Sequence, residues 1–172
     1  MRFVLILVVS LLSLTPARAD VIDDALNAAA SYLAAASPQM AADEFGVDVS
    51  AYRDALTLGS FTSRHWGQSL AVDVRRSGDG GDCARFAAFV TSPPQNGAIT
   101  LSLCPQFLNS GTSGLRTLTI LHEMVHVVAG PNECRAMAFA ARVEFLATGG
   151  FTPVDRYWQA NGCGGSGFKL PQ

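Results

Sequence analysis

The 172-residue sequence is short of charge, of histidine and of cysteine. Charged residues make up 15% of it, and its twelve Lys and Arg stand against fourteen Asp and Glu, which excludes a disordered polyelectrolyte and a strongly basic nucleic-acid binder. The one adjacent basic pair is Arg75-Arg76, so no nucleic-acid partner is expected. No repeat, low-complexity segment or linker divides the chain. Long apolar runs are missing beyond the N-terminus, and the run there, Phe3 to Leu14, would make a helix of about 18 Å, short of a hydrocarbon core of roughly 30 Å.

That run follows Arg2 and precedes Pro16 and the small-x-small site Ala17-Arg18-Ala19, the pattern of a cleaved secretory signal peptide. The expected division is a signal peptide at 1–19 and a single domain at 20–172. Export to the periplasm or the medium is expected, with no membrane association after cleavage. No Cys follows the cleavage site, so a lipid anchor is not expected either. Setting aside Arg2 and Arg18 leaves ten basic and fourteen acidic residues, a formal charge of −4. The remaining 153 residues suffice for one domain with a real core, expected to be a monomer. All four cysteines lie there: Cys83, Cys104, Cys134 and Cys163. An even number in an exported chain points to two disulfides. Three pairings are open, of which Cys83 with Cys104 and Cys134 with Cys163 is the most local.

Asp20 can cap a helix with apolar positions at Ile22, Leu26, Ala29, Leu33 and Ala36, ended by Ser37-Pro38. Asp48 can cap a shorter one through Leu56, closed by Gly59. From Leu70 the period becomes two, and a strand through Arg75, a solvated turn from Ser77 to Asp82 and a return strand from Arg85 to Thr91 read as a hairpin. A further turn and a third strand, Ile99 to Leu103, follow. Two long helical patterns then flank Gly130-Pro131. The expected class is α+β: N-terminal helices, a small antiparallel sheet of about three strands, and two packed helices.

The first of those two helices contains His122-Glu123-Met124-Val125-His126. Residues four apart share a helix face, so both imidazoles can converge on one ion while Glu123, turned by about 100°, reaches beside it. Neutral imidazoles suit Zn²⁺, an open coordination position holds water, and the adjacent carboxylate can accept that water's proton. Core histidines are the plain alternative. An otherwise apolar helix, however, seldom buries two His and a Glu without partners for them.

A catalytic zinc needs a third protein ligand. Gly130-Pro131 stops the helix, Asn132 can cap the next, and Glu133 opens an apolar stripe through Ala136, Ala140 and Val143, which brings Glu133 near the level of His126. Glu144 ranks second, because the helical hairpin carries it beyond His122, and Asp155 ranks third. A charge-stabilising Glu at a helix N-terminus is the structural alternative for Glu133. Tyr157 and His65 are the polar candidates to donate to a developing oxyanion, though either, like Trp66 and Trp158, can serve packing instead.

Ile99-Thr100-Leu101-Ser102-Leu103-Cys104-Pro105-Gln106-Phe107, then Leu118 to His126, then an acid a short distance on, resemble the deuterolysin and peptidyl-Lys metalloendopeptidase group of zincins over roughly residues 83 to 140. The resemblance implies a zincin-like fold, with His122 and His126 as ligands and Glu123 as base. It also implies the strand Ile99 to Leu103 as the edge along which an extended peptide lies, and the Cys83 to Cys104 spacing is similar to a disulfide of that group. The group's third ligand is an Asp in a Gly-Thr-x-Asp-x-x-Tyr motif, whereas here the run is Gly130-Pro131-Asn132-Glu133-Cys134-Arg135-Ala136, one methylene longer and without the Tyr. Lysine specificity is therefore left open. The expected function is an exported zinc-dependent metallopeptidase acting on polypeptides. The alternative is a disulfide-stabilised extracytoplasmic binding module whose zinc site is structural or vestigial.

Overall fold

A computed structural model describes residues 20–172, so the signal-peptide reading of 1–19 lies outside the described residues. Helix α1 spans Val21–Ala36, with the Asp20 carboxylate accepting from the Ile22 amide at its start. Strands β1 (Asp43–Glu44) and β2 (Val47–Asp48) form a small ribbon. Helix α2, Val49–Leu56, begins where Asp48 accepts from the Ser50 and Ala51 amides. It closes differently from the expected glycine stop: Leu58 takes the left-handed conformation at φ 56°, and Gly59 donates its amide to the Asp54 carbonyl.

Strands β3 (Phe61–Ser63), β4 (Gln68–Arg76), β5 (Ala88–Gln95) and β6 (Ala98–Leu103) form one sheet in the order β3-β4-β6-β5. The α+β class is as expected, but the sheet has four strands and is mixed, since β4 and β6 run parallel. The expected hairpin between β4 and β5 does not form. The chain leaving β4 passes over one strand position, and the tight Asn96-Gly97 turn, with φ 51° and 74°, returns β6 into the gap. Both residues of such a turn need positive φ, which Asn and Gly tolerate best. The crossing segment is fastened at both ends of its path: Ser77 donates to the Leu103 carbonyl, Cys104 donates to the Ala87 carbonyl, and Cys83 is disulfide-bonded to Cys104. Strand β5, rather than Ile99 to Leu103, is therefore the free edge on this side.

Helix α3 spans Ser113–Ala129, capped by the Thr112 hydroxyl accepting from the Leu115 amide. Helix α4 spans Glu133–Thr148, with Asn132 Oδ1 accepting from the Arg135 amide and Gly149 in the left-handed conformation at its end. A last short helix, α5, Asp155–Ala160, was not legible in the sequence pattern. Helix α3 packs against α1, α2, α4 and strands β5 and β6. Ile99, Leu101 and Leu103 of the sheet and Ile120, Leu121, Met124 and Val125 of α3 are all fully buried between these layers. The Ala-rich faces of α1 and α4, including Ala29, Ala36, Ala136 and Ala140, let these two helices approach closely. Both disulfides form with the most local pairing, Cys83–Cys104 and Cys134–Cys163, which fits an oxidising compartment. No helix among the described residues is long and apolar enough to cross a membrane.

Candidate metal centre

Helix α3 is held at its C-terminal end by donors from distant parts of the chain. Its last carbonyls have no partner within the helix. Trp66 Nε1 donates to the Val127 carbonyl at 2.8 Å, Ser63 Oγ to Val128 at 2.7 Å and Arg135 Nη1 to Ala129 at 2.7 Å. About two turns further back, the buried Tyr52 hydroxyl donates to the Leu121 carbonyl at 2.6 Å. These clamps fix the segment that carries His122, Glu123 and His126. Nothing in the sequence pattern singled them out beyond the polar atoms of buried Tyr and Trp, which need partners.

The helix ends at Gly130, with φ 83° and ψ −178°, a region open essentially to glycine alone. A Cβ there would lie 2.2 Å from His65 Nε2. His65 thus packs against the turn at Gly130, and it lines a separate hollow with Asp48, Arg64 and Arg135 rather than either cavity that contains Glu123. Gly130→Ala is expected to destabilise the fold by about 3 kcal/mol or more, combining backbone strain with overpacking. Denaturant unfolding checks this. Adding His65→Ala should recover the steric part, and an unchanged midpoint in the single variant would contradict the close approach.

The turn brings α4 back antiparallel to α3, so that Glu133 faces both histidines. Glu133 Oε2 lies 3.1 Å from His122 Nε2, Glu133 Oε1 lies 3.5 Å from His126 Nε2, and the two Nε2 atoms are 3.1 Å apart. His126 Nδ1 is 3.1 Å from the Gly130 carbonyl, which only accepts, so Nδ1 carries the proton in the neutral ring and the Nε2 lone pair is left for a metal. His122, His126 and Glu133 form a group that could hold a metal ion. Metal–donor bonds of 2.0–2.1 Å in a tetrahedral shell put donors about 3.3 Å apart, and the observed separations fit that edge length. Glu144 stands elsewhere: its two oxygens accept from the Thr152 amide at 2.8 Å and the Thr152 hydroxyl at 2.9 Å. Asp155 lies in the first turn of α5 and is not part of the cluster.

Charge and burial set the protonation states. For Glu133, burial pushes its pKa up. Hydrogen bonds and charge from His122 and His126 outweigh that and hold the carboxylate well below its ordinary range. Its side chain is still 39% exposed, so this pairing is screened, and the packed helical hairpin is what holds the three donors together. Burial would lower the pKa of His126, but its hydrogen bond to Glu133 and the nearby carboxylates raise it overall. Glu123 is buried, and desolvation raises its pKa above the carboxylate norm against the opposing pull of the histidines. No hydrogen bond among the described residues steadies its charge.

Tyr157 arrives from α5. Its hydroxyl donates to Glu133 Oε2 at 3.0 Å, its ring meets that of His122 edge-on at 6.0 Å, and burial followed by the Glu133 charge pushes the phenol well above its ordinary pKa. The Cys134–Cys163 bond ties this C-terminal segment to the start of α4, beside Glu133. Trp66, read as a packing residue, does pack and bond, and it also lines a cavity of about 140 Å³ with Glu123, His126, Glu133, Tyr157 and strand β5. The Asp82 carboxylate of the Ser77 to Asp82 turn pairs with Arg85 in an exposed ion pair. Comparison of the chain with protein-family models, curated proteins and solved structures gives no match.

Proposed function

We propose that the protein is an exported zinc-dependent peptidase. One observation carries the reading: a three-donor cluster of suitable spacing adjoins a buried carboxylate, Glu123, that faces a cavity along a free strand edge. Zinc held by His122, His126 and Glu133 would polarise a scissile carbonyl and lower the pKa of water beside it. Glu123 takes a proton from that water as the new carbon–oxygen bond forms. It delivers the proton to the amide nitrogen as the carbon–nitrogen bond breaks, leaving a carboxylic acid and an amine. Tyr157, kept protonated by burial and by the Glu133 charge, would donate to the carbonyl oxygen as negative charge develops there by turning its one O–H away from Glu133 Oε2.

Strand β5 supplies the alignment. Cys104 donates to the Ala87 carbonyl, so antiparallel alternation turns the N–H and C=O of Ala88 and Val90 away from β6. An extended peptide can bond to those groups as an added strand. Pro93 and Pro94, which lack N–H donors, stop the edge at the register break between Thr91 and Gln95.

The direct test is metal-dependent hydrolysis of a mixed peptide library by the disulfide-intact protein. Cleavage should vanish on chelation, return with one equivalent of zinc and leave free amines at new termini. A protein that binds one zinc and cleaves nothing would transfer the site to a binding module.

A further inference from the structure

A second cavity, of about 350 Å³, adjoins the one under β5 and shares Phe86, Ala88, Glu123 and Tyr157 with it. It shares His122, Glu123 and Tyr157 with the metal centre, and one wall is built from Leu115, Leu118 and Thr119 of α3 with the buried Met137 and Ala140 of α4. Four large apolar or aromatic side chains stand exposed among the described residues: Leu58 at 43%, Phe86 at 39%, Leu115 at 48% and Tyr157 at 42%. Three of these four, Phe86, Leu115 and Tyr157, line this one cavity. Scattered exposed hydrophobes need no explanation, but a cluster around a concave site is the mark of a ligand surface.

The charges are equally informative. Glu123 is the only acid in the lining. Arg85 stands at the rim, its guanidinium 5.2 Å above the Phe86 ring and its Nη2 3.5 Å from Asp82. A lysine or arginine side chain entering here would meet a like charge at the mouth and no carboxylate to pair with except the group that must accept a proton. A large apolar side chain would meet Phe86, Leu115, Leu118, Met137 and Ala140, which leave the polar groups of the lining to water.

We infer that this cavity is the specificity pocket of the site: it takes a large apolar side chain, of the size of Leu, Met or Phe, next to the scissile bond, and rejects basic ones. The inference rests on the peptidase reading, and it answers the question of lysine specificity in the negative. The pocket also accounts for the volume, since a site for Ala or Gly would have no use for a void of this size beside the donors.

The test separates the pocket from the chemistry by measuring binding without turnover. Zinc-loaded Glu123→Gln protein is titrated with heptapeptide amides, Gly-Ala-Ala-X-Ala-Ala-Gly, by calorimetry, and the same peptides are given to the wild type as competitors of cleavage, since the variant lacks the one acid of the lining. Peptides with X as Leu, Met or Phe should bind at least about tenfold more tightly than those with Ala or Lys, since single methylenes in an apolar pocket already discriminate by such factors. Leu115→Glu changes an exposed wall residue without disturbing the core, and it should erase the apolar preference and raise the affinity for Lys. Leu118→Glu, on the same wall, gives a second reading of the same reversal. Equal affinity for all X, tighter binding of Lys by the unaltered wall, or no binding of any peptide overturns the assignment. Apolar preference in this assay with no hydrolysis by the wild type keeps the pocket and removes the peptidase. Hydrolysis by the wild type with no preference does the reverse.

Discussion

Glu123→Gln should lower the turnover number by about 10²- to 10⁴-fold, the usual contribution of a positioned general base, with zinc stoichiometry unchanged. The size follows from where Glu123 stands. It is buried beside the donors yet is not one of the group that could hold the metal, so replacing it leaves the three donor atoms in place. Gln has the same shape and no proton affinity at working pH, so the substitution removes the proton transfer and little else. It also removes a desolvated charge that no hydrogen bond steadies, so the variant should melt at the same temperature as the wild type or slightly above it. The measurement is kcat on a cleaved library peptide beside metal analysis of the same sample. Full activity in the variant would remove Glu123 from the mechanism, and loss of zinc would make it a ligand.

The second large effect concerns the third donor. Glu133→Ala should weaken zinc binding by more than about 100-fold, because substitutions that only touch a ligand's hydrogen-bond partner already cost up to that factor. Glu144→Ala should leave affinity unchanged. Its carboxylate is committed to the Thr152 amide and hydroxyl near the end of α4, so its loss should appear as about 1 kcal/mol of stability instead. Competition against a chromophoric chelator measures the first quantity and denaturant unfolding the second. The reverse ranking of the two variants in the zinc competition would overturn Glu133 as the third ligand.

What was legible in the sequence was what short range determines. The four-residue spacing of His122 and His126 puts both on one helix face in any context. Gly130-Pro131 and the Asn132 cap then dictate that Glu133 turns back toward them. Asp20 and Asp48 announce helix starts through their own side chains. What was not legible depends on pairing between distant segments. The alternation of β4 and β5 is the same whether they pair or are separated by β6, and sequential strands are usually neighbours, so the hairpin reading followed a sound rule to the wrong partner. Asn96-Gly97 was the stronger hairpin signal, and it is where the tight turn forms. Helix α5 has six residues and no apolar period, so nothing in the local pattern announced that Tyr157 would return to Glu133. The pocket-lining trio is scattered over the loop before β5 (Phe86), α3 (Leu115) and α5 (Tyr157), and shows itself only as exposed apolar surface in the fold.

The clamps on α3 also put the construction of the site in an order of time. Tyr52, Ser63 and Trp66 reach the motif helix across sequence separations of 69, 65 and 61 residues. A chain growing from its N-terminus makes these holders well before the helix they hold. Glu133 follows eleven residues after His122, and Cys163 closes its loop only when the last residues are at hand. Along the chain these three holders therefore come first, the residues that could hold a metal next and the cysteine that tethers the Tyr157 segment last, so a chain stopped short of Cys163 has His122, His126 and Glu133 but lacks that fastening.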